Sequence, residues 1–379
     1  MKKLFALLML TFPLMLFFNG CDEPTTPSET TSLMKQNQLD NQNGLDDDSS
    51  YVVIANRGSG TISVIGTYND EVAGTYDLPM GANTPEPMYV VFVKQSNKVF
   101  VGDRANDQVV VFNAMDYSVE TTIPVGQGVF HMWADPQGKQ LWVNNDIGNT
   151  TSVIDLYSLQ VIATVPTPAD LVSMGGKPHD VILGTRNKYA YVSVLGVTGS
   201  SDYVVQFSTR NFQESGRAAV GKDPHLSLNK SNSYLYVPCQ NSDTVFVLDR
   251  FNMSFVEAIV VPGTHGAFMT TNGKTFYTTN LPGGGTDGLF AINTKNNQVI
   301  GSSNTLYPVP HNLVVTNNTK KLYLTHSGGT SDKVTVYGIS NRNPVPYYLA
   351  EITVGSNPFG LAFVKPGDFG ETQKMINMK

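Results

Sequence analysis

The stretch KPHDVILGTRNKYAYVSVLGVTGSSDYVVQFSTRNFQESGRAAV, residues 177–220, decides the fold. It holds four short runs, Val181 to Gly184, Tyr189 to Val194, Tyr203 to Ser208 and Phe212 to Val220. Each is broadly alternating in hydrophobicity and bounded by turn residues such as Asn187-Lys188 and Gly199-Ser200, which predicts four strands. The unit recurs seven times, opening at Met88, His131, His179, His225, His265, His311 and Phe359, at spacings of 43, 48, 46, 40, 46 and 48 residues. A period of this length marks a propeller or solenoid. The second strands align as Lys98-Val-Phe-Val101, Gln140-Leu-Trp-Val143, Tyr234-Leu-Tyr-Val237, Thr275-Phe-Tyr-Thr278 and Lys321-Leu-Tyr-Leu324. A four-stranded sheet of this size cannot bury both faces alone, whereas seven stacked radially bury their faces and close a ring. Residues 51 to about 80 hold only three strands, and the missing innermost strand is predicted at Asn357 to Val364. The predicted fold class is therefore all-β: a seven-bladed β-propeller over residues 51–367, with four-stranded antiparallel blades, closed by pairing N-terminal strands with a C-terminal strand. Helix is nearly absent.

The rhythm of Leu141-Trp-Val-Asn-Asn145 followed by Thr151-Ser-Val-Ile-Asp155 resembles the YVTN family of seven-bladed propellers. That resemblance covers nearly the whole chain after residue 50. It implies the fold and says little about function, because relatives include lactonases, surface proteins, redox-enzyme subunits and binding proteins.

Residues 1–20 read as a targeting segment, Lys2 and Lys3 followed by an apolar run from Leu4 to Phe18, too short to span a bilayer comfortably. With Asn-Gly-Cys21 after it, the segment resembles a bacterial lipoprotein signal. The resemblance implies that Cys21 is diacylated and that the protein is membrane-anchored in the periplasm or at the cell surface. Residues 22–49 contain no aromatic residue, valine or isoleucine, so 21–50 read as a lipidated cysteine and disordered tether. Asp40 to Asp48 lacks the closing glutamate of an EF-hand loop. Residues 368–379 read as a tail.

Without Lys2 and Lys3, 23 basic residues face 31 acidic ones, a net charge of −8. That balance argues against nucleic acid as a partner, since binding it requires a basic stripe that releases counterions. Beyond Cys21 only Cys239 remains, so no disulfide framework forms and stability comes from burial and ring closure.

In a propeller the first strand of each blade lines the central channel and starts at one end, and the second strand finishes at that same end. His131, His179, His225, His265 and His311 open first strands. His326 and Cys239 close second strands, so all are predicted on one rim, with Met88 and Phe359 filling the two remaining openings. Three readings stay open. The histidines could be structural, donating to backbone or loop carboxylates, as the blade histidine of WD-repeat propellers does. They could hold copper or another transition metal, which imidazole suits, with His326, Cys239 or Met88 as further donors. They could act as acid–base groups. The second reading is reminiscent of nitrous oxide reductase, whose propeller holds a histidine-ligated copper cluster at its hub; Lys177-Pro-His-Asp180 is the local match, although the cupredoxin domain is absent. Asn56, Asp103, Arg104, Asn145 and Asn280, where second strands end, are rim candidates for a substrate. Loops also require such residues.

The chain has no Gly-x-Ser-x-Gly elbow, His-Glu-x-x-His, P-loop or Cys-x-x-Cys-His, so nucleophilic, zincin, nucleotide and c-type haem chemistry lack support. The sequence thus points to a lipid-anchored, monomeric propeller that binds a protein or small ligand through its histidine-bearing rim. The alternative is a transition-metal site or metal-dependent accessory enzyme.

Overall fold

A computed structural model describes residues 49–186, 188–230 and 233–367. The targeting segment, Cys21, the tether up to residue 48 and the tail lie outside the described residues. The described chain forms seven four-stranded antiparallel sheets, each running in sequence order from an innermost to an outermost strand. In the first blade the innermost strand is Pro358–Val364, which pairs with Tyr51–Asn56 and so closes the ring with the two ends of the propeller. The only α-helix among the described residues is Ala169–Ser173, with a short 3-10 turn at Gln240–Ser242.

The fourth blade consists of Lys177–Leu183, Tyr189–Leu195, Asp202–Ser208 and Glu214–Val220, close to the strands read from sequence. Its first strand starts four residues earlier than predicted, because Lys177 and Pro178 already pair with Leu195 and Val194. Burial follows position in the blade. Second strands such as Gln140–Asn145 are buried on both faces, since each blade is sandwiched between neighbours, whereas outermost strands such as Val119–Pro124 are largely exposed.

The tyrosine that recurs in second strands has a specific task. Tyr191 Oη donates to the Arg250 carbonyl at 2.9 Å, Tyr236 to Asn297 Oδ1 at 2.6 Å and Tyr277 to the Pro344 carbonyl at 2.7 Å, and Tyr323 reaches Asp70. Each bond crosses to the outer hairpin of the next blade and latches neighbours near the ring's outer wall. Trp142 takes the same place in the third blade, fully buried against Phe207 and Phe212 of the fourth. Trp133, the other tryptophan of this blade, is 39% exposed.

Closure leaves little room at the axis. A Cβ on Gly360 would lie 2.5 Å from the Met88 carbonyl, across the junction of the first and second blades. Gly360→Ala is therefore expected to cost about 1–3 kcal/mol by overpacking, and Tyr277→Phe about 1 kcal/mol by loss of one latch. Urea denaturation of both variants checks this, and wild-type midpoints would contradict it.

Candidate functional site

Six of the seven innermost strands carry a register irregularity within their first few residues, and the fifth, Ser227–Leu228, keeps its register with an isolated bridge at Pro224. The pairings Pro87 with Asp103, Val129 with Asn145, Pro178 with Val194, Thr264 with Asn280 and Pro310 with His326 place these first residues in equivalence. The bridge Pro224–Cys239 does the same for the fifth blade, and Asn56–Pro358 for the first.

One step inward, the hub layer is thus Met88, Phe130, His179, His225, His265, His311 and Phe359. His131 is not in that layer, which corrects the sequence alignment. It stands one residue further along, level with Tyr89, Asp180, Leu226, Gly266, Asn312 and Gly360. The spacing alone could not reveal this, because Phe130 and His131 are adjacent and either fits a period near 45.

The five histidines nevertheless come together. Ring centroids lie 5.2 Å apart for His131 and His179, 4.7 Å for His179 and His225, 3.8 Å for His225 and His265, and 4.9 Å for His265 and His311. Aromatic rings complete the circle: Phe359 lies 4.1 Å from His311, Phe130 4.9 Å from His179, and Tyr89 stacks on His131 at 3.7 Å. His131, His225, His265 and His311 are only 2–7% exposed.

Asp180, whose carboxylate the sequence reading left without a role, organises the cluster. His131 Nδ1 lies 2.9 Å from its Oδ1, the Val181 amide donates to the same oxygen, and the Leu226 amide donates to Oδ2 at 2.8 Å. One buried carboxylate so ties together the third, fourth and fifth blades. It also orients His131, holding Nδ1 toward the carboxylate. The Nε2 of His131 is buried and has no hydrogen-bond partner, and neither ring nitrogen of His265 has one. His179 Nε2 and His225 Nε2 face each other at 3.3 Å. One ring nitrogen from each of His131, His179 and His225 falls within a 4.8 Å group. His311 differs, because Asn312 Nδ2 donates to its Nδ1 at 3.0 Å, leaving the proton on Nε2. Asp223, also unremarked in the sequence, adds a carboxylate 4.0 Å from His225 Nε2.

The other candidates have different surroundings. His326 sits at the same end of its blade but turns into it, with Nδ1 against the Pro308 carbonyl at 3.2 Å and Nε2 against Thr335 Oγ1 at 2.8 Å. Cys239 is buried among Leu226, Leu235 and Val237, and burial pushes its thiol pKa up, away from the thiolate a metal needs. Met88 packs in an apolar cluster with Tyr89, Phe359 and Phe130. Of the rim candidates, Asn56 bonds Thr61 and Ser63, Asn145 bonds Thr150 and Ser152, Asp103 accepts from the Glu86 amide and Asn106, and Asn280 accepts from the Gly283 amide. All four hold loops. Arg104 pairs with Asp146 and lies over Phe130, as Arg57 lies over Phe359.

Burial, reinforced by neighbouring histidines, holds His179, His225 and His265 well below the usual imidazole pKa. His311 is lowered to about 3 by burial, His131 and Arg57, and His326 to about 4 by burial. The unfolded chain, with imidazoles near 6.5, then binds more protons in mild acid than the folded one. Stability contributed by the neutral ring is fully present above about pH 6.5 and is lost as pH falls toward the folded values, by up to about 1.4 kcal/mol per pH unit for each group. Melting temperatures of metal-free protein should be flat above pH 7 and fall steadily below pH 6. An unchanged melting temperature between pH 7 and 4.5 would contradict a neutral, buried ring.

A sequence profile described as "Lactonase, 7-bladed beta-propeller" matches residues 27–254. Among solved structures, the chain is similar to a periplasmic gluconolactonase of Pseudomonas aeruginosa, with 15% identity, 83% of this chain and 99% of that one covered, and a TM-score of 0.64. It is similar to a candidate 6-phosphogluconolactonase of Bacteroides uniformis, with 18% identity, 84% and 100% covered, and a TM-score of 0.64. It is also similar to hydrazine synthase of Kuenenia stuttgartiensis, with 16% identity, 76% and 98% covered, and a TM-score of 0.60. At these identities the likeness is one of fold. No curated protein matches the chain. The profile spans more than half of the sequence, and the protein belongs to the lactonase family of seven-bladed β-propellers.

Proposed function

We propose that this is a lipid-anchored extracytoplasmic propeller whose hub binds a late first-row transition ion, copper or zinc in class, through His131, His179 and His225, with His265 in reach as a further donor. The observation that carries the reading is the convergence of one nitrogen each from His131, His179 and His225 within 4.8 Å, beside a buried His131 Nε2 and two buried His265 nitrogens that have no hydrogen-bond partner. Leaving a buried polar atom unpaired costs roughly 1–3 kcal/mol. A purely structural ring has no reason to bear that cost, and His326 in the same molecule shows a structural histidine with both nitrogens bonded.

Geometry and chemistry support the same reading. Nitrogens bound at about 2.0–2.1 Å in a tetrahedral site lie about 3.3 Å apart, and His179 Nε2 and His225 Nε2 are separated by 3.3 Å. Asp180 behind His131 provides the carboxylate that typically orients a metal-binding imidazole and raises its basicity. Depressed pKa values keep His179, His225 and His265 neutral at pH 7, with lone pairs available. A tighter ring of protonated histidines would repel the ion instead.

A second reading follows from family membership and from the three-histidine set itself. Three imidazoles would hold an ion with a coordination position left open, and that ion would supply Lewis-acid chemistry suited to lactone hydrolysis. On this reading the hub supports hydrolysis, as the name of the gluconolactonase among its structural neighbours would suggest.

Full-length protein loaded separately with copper and zinc, then desalted and analysed for metal, should retain about one equivalent. His179→Ala/His225→Ala should retain less than about 0.1 equivalent, and Asp180→Asn should bind about 10–100-fold more weakly while still folding. Less than about 0.1 equivalent in the wild type would remove the metal reading. For hydrolysis, the loaded protein should open glucono-δ-lactone faster than the His179→Ala/His225→Ala protein, and equal rates would reject catalysis at this hub.

A further inference from the structure

The antiparallel pairing sorts every connection to one of two ends of the ring. The hairpins joining first to second and third to fourth strands lie at the end opposite the histidines, together with the points where the chain enters at Ser49 and leaves at Lys365 to Gly367. Bonds between these hairpins in adjacent blades, such as Gln95 to the Pro136 carbonyl and Asn272 to Asn341, confirm that they share an end. The connecting segments at this entry end carry twelve Lys and Arg against three acidic residues. Those at the histidine end carry three Lys and Arg against eight acidic residues. A chain of net negative charge is thus strongly polarised along its axis.

The two ends also differ in how their cations are used. Arg57, Arg104 and Lys222 at the histidine end all pair with carboxylates. At the entry end Lys94, Lys139, Lys188, Lys230, Lys274 and Arg342 are exposed and enter none of the ion pairs among the described residues. Large apolar side chains stand among them on hairpin tips: Tyr157 is 97% exposed, Met115 55%, Phe251 52% and Tyr68 51%. A recess of about 280 Å³ lined by Ser49, Tyr51, Lys94, Met115 and Lys365 opens at the place where the chain enters.

We propose that the entry end is a docking face for an anionic lipid bilayer, its lysines meeting headgroup phosphates and its exposed tips reaching the interfacial layer. Unpaired cations interleaved with exposed aromatic and methionine side chains suit a surface that is negative outside and apolar beneath. The source of the bilayer rests on the lipid-anchor reading above: about 28 residues separate Cys21 from Ser49, so an anchor at Cys21 joins the propeller at this end. Docking in this sense turns the histidine end away from the lipid.

The test mixes full-length Cys21→Ala protein, in which no acyl chain contributes, with vesicles of phosphatidylcholine and with vesicles that also contain phosphatidylglycerol at about 30 mol%, at low and raised salt, and measures the sedimented fraction. Expected is a preference for the anionic vesicles of about ten-fold or more that shrinks with salt. It should vanish in a Lys94→Glu/Lys139→Glu/Lys188→Glu/Lys274→Glu variant that melts within a few degrees of wild type, and persist in Lys177→Glu at the other end. Equal binding of the Cys21→Ala protein to both vesicles overturns the proposal, as does a preference that survives the quadruple change or ignores salt. Binding to heparin without binding to anionic vesicles also overturns it, in favour of an acidic macromolecule. Failure of the anchor reading is read separately, as phosphatidylcholine binding left unchanged by Cys21→Ala.

Discussion

The carboxylate of Asp180 is the interaction on which the hub depends. Buried near the axis, it lies 2.9 Å from an imidazole of the blade before it and accepts from the Val181 amide of its own blade and the Leu226 amide of the blade after it. A buried charge is tolerable only when its oxygens are satisfied in this way. The same satisfaction determines which nitrogen of His131 points into the cluster, so blade-to-blade registration and donor chemistry are set by one group. The tyrosine latches at the outer wall perform the complementary task, fixing blade spacing where the sheets splay apart.

Radial repetition made most of the fold legible. The alternating runs, the recurrence near forty-five residues and the short count of strands after Tyr51 suffice to place twenty-eight strands and the closing segment at Pro358–Val364. The hub was legible only in part. His179, His225, His265 and His311 share a layer because each follows the residue that pairs with the end of the second strand. His131 reaches the cluster from the next position, through a backbone irregularity that period-two reading does not register. Polar residues at that next position in other blades, Asp180 and Asn312, were the available signal. His326 and Cys239 were drawn in by their end of the blade, whereas side-chain direction, set by strand alternation, sends both into the sheet packing.

Net charge concealed more than it revealed. An overall excess of acid argues against polyanionic partners, yet the hairpin topology gathers basic residues from distant parts of the sequence at one end and carboxylates at the other. The resulting molecule has a neutral imidazole ring set in an acidic rim, which favours approach of cations, and an opposite face suited to anionic surfaces. Family membership fixes the architecture, while the chemistry resides in the seven positions around the axis.

X-ray absorption at the metal edge of the loaded, full-length protein tests the central claim most directly. The account predicts a first shell of three or four nitrogens at about 2.0 Å with outer-shell scattering from imidazole rings. A shell of oxygen donors only, without imidazole scattering, would contradict it.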